Sequence, residues 1–251
     1  MLGSAKTAWQ ARAWADDGGF TNPLTTWTAQ GAAELSTAQF KFGTASMYTD
    51  SNQATTSGFL ASSGDRTFLD FGTGDFTVSM WIRMTSCTST NKHQDIMANN
   101  RANGFGMRFG KNFGSATRNG LGLFARQVAD LDYCDFTWSD DTWYWIVVQR
   151  SGTTISFWVD GNQQTTQGSG AGSRNFTSYD GTNISFGNAE DQDGSRFVYF
   201  DELNITVGSA LYPTSGSLTV PTAPFTVQQY TTQLVHWDGA NGATTCDNDQ
   251  G

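Results

Sequence analysis

The stretch running from Phe71 through Gly72, Thr73, Gly74 and Asp75 to Arg83 constrains the fold most, because a Gly/Asp turn leads straight into a strict two-residue alternation. Phe76, Val78, Met80 and Ile82 fall on one face, and Thr77, Ser79, Trp81 and Arg83 on the other. The spacing predicts a half-buried β-strand that ends near a tryptophan.

Similar runs recur between turn clusters at Ser46 to Thr49, Phe105 to Phe109, Leu121 to Gln127, Trp143 to Arg150, Thr154 to Asp160, Asn183 to Phe186 and Phe197 to Ile205. The connection Ser151, Gly152, Thr153 makes Trp143 to Arg150 and Thr154 to Asp160 a hairpin. Many Gly (28) and few Pro (4) suit short strands joined by tight turns, and 251 residues suffice for one large antiparallel sandwich. Thr165 to Asp180, rich in Gly, Ser and Thr, reads as an exposed loop, and Lys92 to Arg118 as loop-heavy.

Charge excludes one class of partner. With 14 basic against 23 acidic residues the net charge is -9, which repels a phosphate backbone, so no nucleic-acid partner is expected. No apolar run of about 18 residues occurs, so no membrane insertion is expected, and the N-terminus lacks the pattern of a secretory leader. Cys87, Cys134 and Cys246 lie far apart and His93 and His236 have no ligand spacing, which argues against zinc. A Cys87–Cys134 bridge is conceivable, with buried free thiols the commoner alternative.

Taken in order, Phe42 to Tyr48, Phe71 to Trp81, Trp143 to Arg150, Phe157 to Gly161 and Tyr199 to Ile205 resemble the laminin G-like, concanavalin A-like lectin/glucanase superfamily. The resemblance implies an all-β, antiparallel jelly-roll β-sandwich. The closing runs Gly208 to Tyr212 and Val220 to Phe225 look like the ends of such repeats in bacteriophage structural and tail fibre proteins. On this reading residues 1–31 form an irregular lead-in, 32–227 the jelly roll, and 228–251 a linker and the start of a second repeat. That last strand either pairs with the preceding jelly roll or belongs to further sequence.

The glucanases of the superfamily carry a Glu-x-Asp-x-x-Glu motif, and the only glutamates here are Glu34, Glu190 and Glu202. Asp201 and Glu202, as strand neighbours, are expected to point to opposite faces, and neither histidine sits in a recognisable catalytic arrangement, so no enzyme activity is expected. The acidic loop from Gly187 to Gly194 resembles the calcium loop of pentraxins, which makes Glu190, Asp191 and Asp193 candidate Ca²⁺ ligands; related domains also offer oxygens at positions matching Asp50 and Asn52. The alternative is a solvated acidic turn. Trp138 and Trp145 offer flat faces for a sugar ring, with Asp140, Asp141 and Asn162 placed to bond hydroxyls. Against that stands core filling, expected of Trp81 and Trp143, whereas Trp138 is expected in an exposed loop.

The resemblance therefore implies a non-enzymatic bacteriophage virion protein, made without a leader and displayed on the virion surface as a homo-oligomer with other virion proteins, with host cell-surface glycan as a ligand. The rival expectation is a calcium-dependent carbohydrate-binding lectin of a cellular or secreted protein.

Overall fold

A computed structural model describes residues 26–51, 58–61, 71–85, 93–99, 105–113, 118–125, 129–168, 170–176, 184–186, 196–228 and 230–247. In chain order its strands are β1 (Thr26–Gln30), β2 (Glu34–Ser36), β3 (Ser46–Ser51), β4 (Gly58–Ala61), β5 (Phe76–Met84), β6 (His93–Asn99), β7 (Phe105–Phe113), β8 (Arg118–Ala125) and β9 (Ala129–Asp135). They continue with β10 (Trp143–Ser151), β11 (Thr154–Val159), β12 (Asn162–Gln164), β13 (Thr166–Gly168), β14 (Ile184–Phe186), β15 (Arg196–Val207), β16 (Thr231–Val235) and β17 (Thr245–Asp247).

The strands form an antiparallel sandwich. One sheet has the order β13-β9-β8-β7-β6-β14-β4-β1-β17; the other runs β12-β11-β10-β5-β15-β3-β2, with β16 also paired to β15. Between them lies a core built from alternate residues: Phe76, Val78, Met80 and Ile82 of β5, Ile146 and Val148 of β10, Phe157 and Val159 of β11, and Phe109 and Leu121 from the opposing sheet. The hairpin read from the sequence is present, with Ile146 opposite Val159 and Ser151 opposite Thr154.

Several boundaries differ from expectation. Thr26–Gln30, assigned to the lead-in, is a strand between β4 and β17, and its Trp27 is fully buried. Residues 231–247, read as the opening of a second repeat, complete this same sandwich: β16 pairs with β15, β17 with β1, and Trp237 enters the core. Of the two alternatives the sequence left open for this strand, pairing with the preceding jelly roll is the one observed, and it covers an apolar side that would otherwise be wet. β7 contains the run expected at Phe105 to Phe109, but the segments read as loops also hold β6 and β13, and Ala171 and Phe176 are buried. His93 accordingly begins strand β6 rather than lying in a loop. Cys134 is a buried free thiol, its pKa pushed up to about 12 by desolvation, whereas Cys87 lies outside the described residues.

The expectation that β5 is half-buried also fails, for an instructive reason. The chain after β15 runs back as an extended strap, residues 208–225, across the outer face of the second sheet. Trp81, Trp145, Val147 and Trp158 form an apolar strip on that face, and Tyr212, Leu218, Val220 and Phe225 of the strap pack on it. Several polar groups beneath the strap are matched as well. Gln149 accepts from Tyr212 N–H at 2.9 Å and donates from Nε2 to Tyr212 O at 2.8 Å, which imitates a strand pair. Leu211 N–H donates to Thr77 Oγ1 at 3.0 Å, and Trp158 Nε1 donates to Gly216 O at 2.8 Å. Thr77, Gln149 and the Trp158 indole are thus buried with partners, whereas the Nε1 atoms of Trp81 and Trp145 on the same face are buried without one among the described residues. Gly161, at φ 73°, lets the strap approach: a Cβ there would sit 2.2 Å from Leu218 O.

Candidate ligand face on the second sheet

Past the strap, one registered row of the outer face stays partly open. Glu34 of β2 lies opposite Tyr48 of β3, Tyr48 opposite Tyr199 of β15, Tyr199 opposite Arg83 of β5, and Arg83 opposite Trp143 of β10. Directly opposed residues of antiparallel strands share a face, and the flanking Leu35, Met47, Phe200, Ile82 and Tyr144 all turn into the core. Each residue of the row is half-buried. The Tyr48 and Tyr199 rings lie 4.8 Å apart with a 36° tilt, and the Arg83 guanidinium stands 5.7 Å from the Tyr199 ring centre. Arg83 Nη2 pairs with Asp141 Oδ1 at 2.8 Å, the aspartate side chain being 61% exposed. Burial raises the Tyr199 phenol above its ordinary pKa, with the Arg83 charge pulling the other way. The row therefore offers aromatic rims, a guanidinium, and the carboxylates of Glu34 and Asp141, which is chemistry suited to hydroxyl-rich ligands.

Of the residues the sequence nominated for sugar binding, Asp141 joins this row through Arg83, and Asp140 lies half-buried in the adjoining turn. Trp138 and Trp145 are corrections. Trp138 is not exposed: it folds in among Phe109, Phe136 and Tyr144 and donates from Nε1 to Gly120 O at 3.2 Å. Trp145 lies under the strap against Tyr212, 1% exposed. Large aromatic faces reduce free energy most when desolvated, and the strap and the aromatic cluster provide that cover. Asn162 is exposed on edge strand β12, away from the row. Of the nominated calcium ligands, Asn52, Glu190, Asp191 and Asp193 lie outside the described residues, and Asp50 sits on β3 opposite Phe197. Among the described residues there is no cluster of His, Cys, Asp or Glu suited to a metal ion.

Asp201 and Glu202 do not point to opposite faces. A bulge interrupts the β15–β5 register between Asp201 and Asn204, and Glu202 adopts φ 54°. Both carboxylates then turn toward the strap side: Asp201 Oδ2 accepts from Lys41 N–H at 2.7 Å and Phe42 N–H at 3.2 Å, while Glu202 Oε2 accepts from Phe225 N–H, and both phenylalanines pack on the outer apolar strip. Glu202 Oε1 also meets His236 Nδ1 at 2.8 Å. Desolvation, aided by the nearby Glu202 charge and opposed by the N–H donors, pushes the Asp201 pKa up to about 8. The folded state therefore holds a proton that the unfolded chain releases from about pH 4 upward. Stability at this group is greatest in acid and falls as pH rises toward 8. Urea unfolding should show a stability loss on the order of 3–4 kcal/mol between pH 5 and pH 8, and Asp201→Asn should flatten that slope whatever its absolute stability. An unchanged slope in the variant would assign the pH dependence elsewhere.

Comparison with known proteins agrees with this architecture. The family described as the concanavalin A-like lectin/glucanases superfamily matches residues 53–211, more than half of the chain. No curated protein sequence matches it. Among solved structures, the binding domain of botulinum neurotoxin serotype D/C VPI 5993 superposes with a TM-score of 0.52 at 12% identity, over 72% of this chain and 43% of that one. A structure of botulinum neurotoxin type C, which depends on interaction with two ganglioside molecules to enter cells, gives 0.52 at 13% identity, over 72% and 42%. The binding domain of botulinum neurotoxin DC in complex with rat synaptotagmin II gives 0.51 at 12% identity, over 72% and 43%. The chain thus spans less than half the length of these structures, and the likeness is one of fold. Two antiparallel sheets around an alternating core, matched by the family across strands β4 to β15, make this chain a member of the concanavalin A-like lectin/glucanase superfamily.

Proposed function

We propose that this chain is a non-enzymatic glycan-binding module of a bacteriophage virion, carried on the particle surface as a homo-oligomer beside other virion proteins. The observation that carries the glycan reading is the open row from Glu34 to Trp143, the part of the second sheet's outer face that the strap leaves partly uncovered. Ganglioside interaction by botulinum neurotoxin type C, which shares the fold, supports the same reading. The non-enzymatic part is supported by Asp201 and Glu202, whose buried carboxylates accept backbone N–H groups, Asp201 from Lys41 and Phe42 and Glu202 from Phe225 of the strap, rather than facing a cleft. The virion setting is supported by the closing runs at Gly208 to Tyr212 and Val220 to Phe225, which resemble those of phage structural repeats.

The test is retention of the purified chain on a broad glycan array, with calcium and again with chelator. Binding to one structural class of glycan is expected. A calcium requirement, proposed from the sequence of the 187–194 loop, is read from the chelator arm. Silence in both arms would remove the glycan reading and leave particle assembly.

A further inference from the structure

We infer that the ligand of the open row is an uncharged, linear oligosaccharide lying across the strands, with its central rings over Tyr48, Tyr199 and the Arg83–Asp141 pair and its ends at Glu34 and Trp143; this rests on the glycan-binding reading above. Geometry sets the direction. The row crosses β2, β3, β15, β5 and β10, and strands ~4.8 Å apart give a platform ~19 Å long, about the length of a tetrasaccharide. The strap bounds it on one side, since the next residues along the strands, Trp81 and Trp145, are covered by Phe42, Tyr212 and Phe225. A ligand can therefore extend along the row but not spread toward the strap, which favours an unbranched chain.

Charge sets the class. Glu34 closes one end, Asp141 stands beside Arg83 toward the other, and the guanidinium is already paired with Asp141. The chain as a whole carries a net charge of -9. A sialylated or sulfated sugar would meet the Glu34 and Asp141 carboxylates with the Arg83 cation engaged, whereas neutral hydroxyls can donate to those carboxylates and accept from Arg83 N–H groups. The tilted tyrosine pair presents ring faces and edges to the C–H surfaces of pyranose rings.

The experiment is calorimetric titration of the whole chain with a neutral linear series from mono- to hexasaccharide, chosen from the class retained on the array, beside a sialylated counterpart of matched length. Affinity should rise with length and level off near the tetrasaccharide, and the sialylated sugar should bind about tenfold more weakly or worse. Tyr199→Ala and Trp143→Ala, on different strands, should each weaken the best neutral ligand by about tenfold, with melting temperatures showing that both variants fold. Length-independent affinity, equal or tighter binding of the sialylated sugar, or full affinity in both folded variants would overturn this inference while leaving glycan binding intact. Absence of any binding across the array would overturn the parent reading instead.

Discussion

Replacing Arg150 with alanine is expected to lower stability by about 3–5 kcal/mol, the range seen when a buried charged group is stripped from the partners arranged around it. Arg150 is fully buried, and its guanidinium donates to backbone carbonyl oxygens. Its Nε donates to Gly74 O at 2.7 Å, Nη1 to Arg174 O at 2.7 Å, and Nη2 to Phe71 O at 3.1 Å and Gly72 O at 2.8 Å. Phe76 and Phe176 flank the guanidinium, each ring centre 5.2 Å away. Burial pulls its pKa below the ordinary arginine value, with the Asp75 charge opposing. One side chain on β10 therefore ties the turn before β5 to the segment around Arg174, and alanine would leave those carbonyls without donors in a dry site. Arg150→Lys should recover only part of the loss, because a single ammonium cannot reproduce the planar fork. Urea unfolding of the three proteins measures this, and a loss below about 1 kcal/mol for Arg150→Ala would show that water replaces the guanidinium readily.

Trp158→Ala is expected to cost a similar 3–5 kcal/mol, and to do so locally first. Trp158 is fully buried on the outer side of β11, beside Trp81, Trp145 and Val147, and bonds Gly216 of the strap. Alanine would open a cavity beneath Leu218 and Val220 and delete the indole donor together. Because the strap is held by side-chain contacts and scattered hydrogen bonds rather than by a continuous ladder, residues 208–225 should loosen before the sheets separate. Limited proteolysis should cut that segment faster in the variant while cleavage elsewhere stays slow. Trp158→Phe keeps most of the apolar contact and loses the hydrogen bond, so a smaller cost of about 1 kcal/mol is expected. Equal strap cleavage in wild type and Trp158→Ala would contradict the clamping role.

The sandwich was legible where alternation and turn chemistry coincide. Strands β5, β10 and β11 carry long period-2 runs, and Ser151 to Thr153 marks their hairpin, so both position and pairing could be read. Short strands such as β2, β12, β13 and β17 span only three residues each, too few to show a period. The strap was missed for a different reason. Thr77, Ser79 and Gln149 look solvent-facing because polarity is the usual mark of exposure, yet the chain brings its own cover in residues 208–225, which have no periodic pattern to announce it. Trp138 and Trp145 misled in the same way, since an aromatic beside carboxylates reads equally as a sugar platform or as core. The bulge at Asp201 and Glu202 reversed an inference that holds only for unbroken pleat. As for the open row, every member lies in its strand, but cross-strand register places them side by side, and no single strand carries that information.

The most direct test of the account is hydroxyl-radical footprinting of the chain with and without a glycan retained on the array. Protection of Tyr48, Tyr199 and Trp143, with Trp138 and Trp145 equally unreactive in both states, is the predicted result. Protection that leaves these positions unchanged and appears instead at Tyr133, on the opposite sheet, would contradict the assignment of the ligand face.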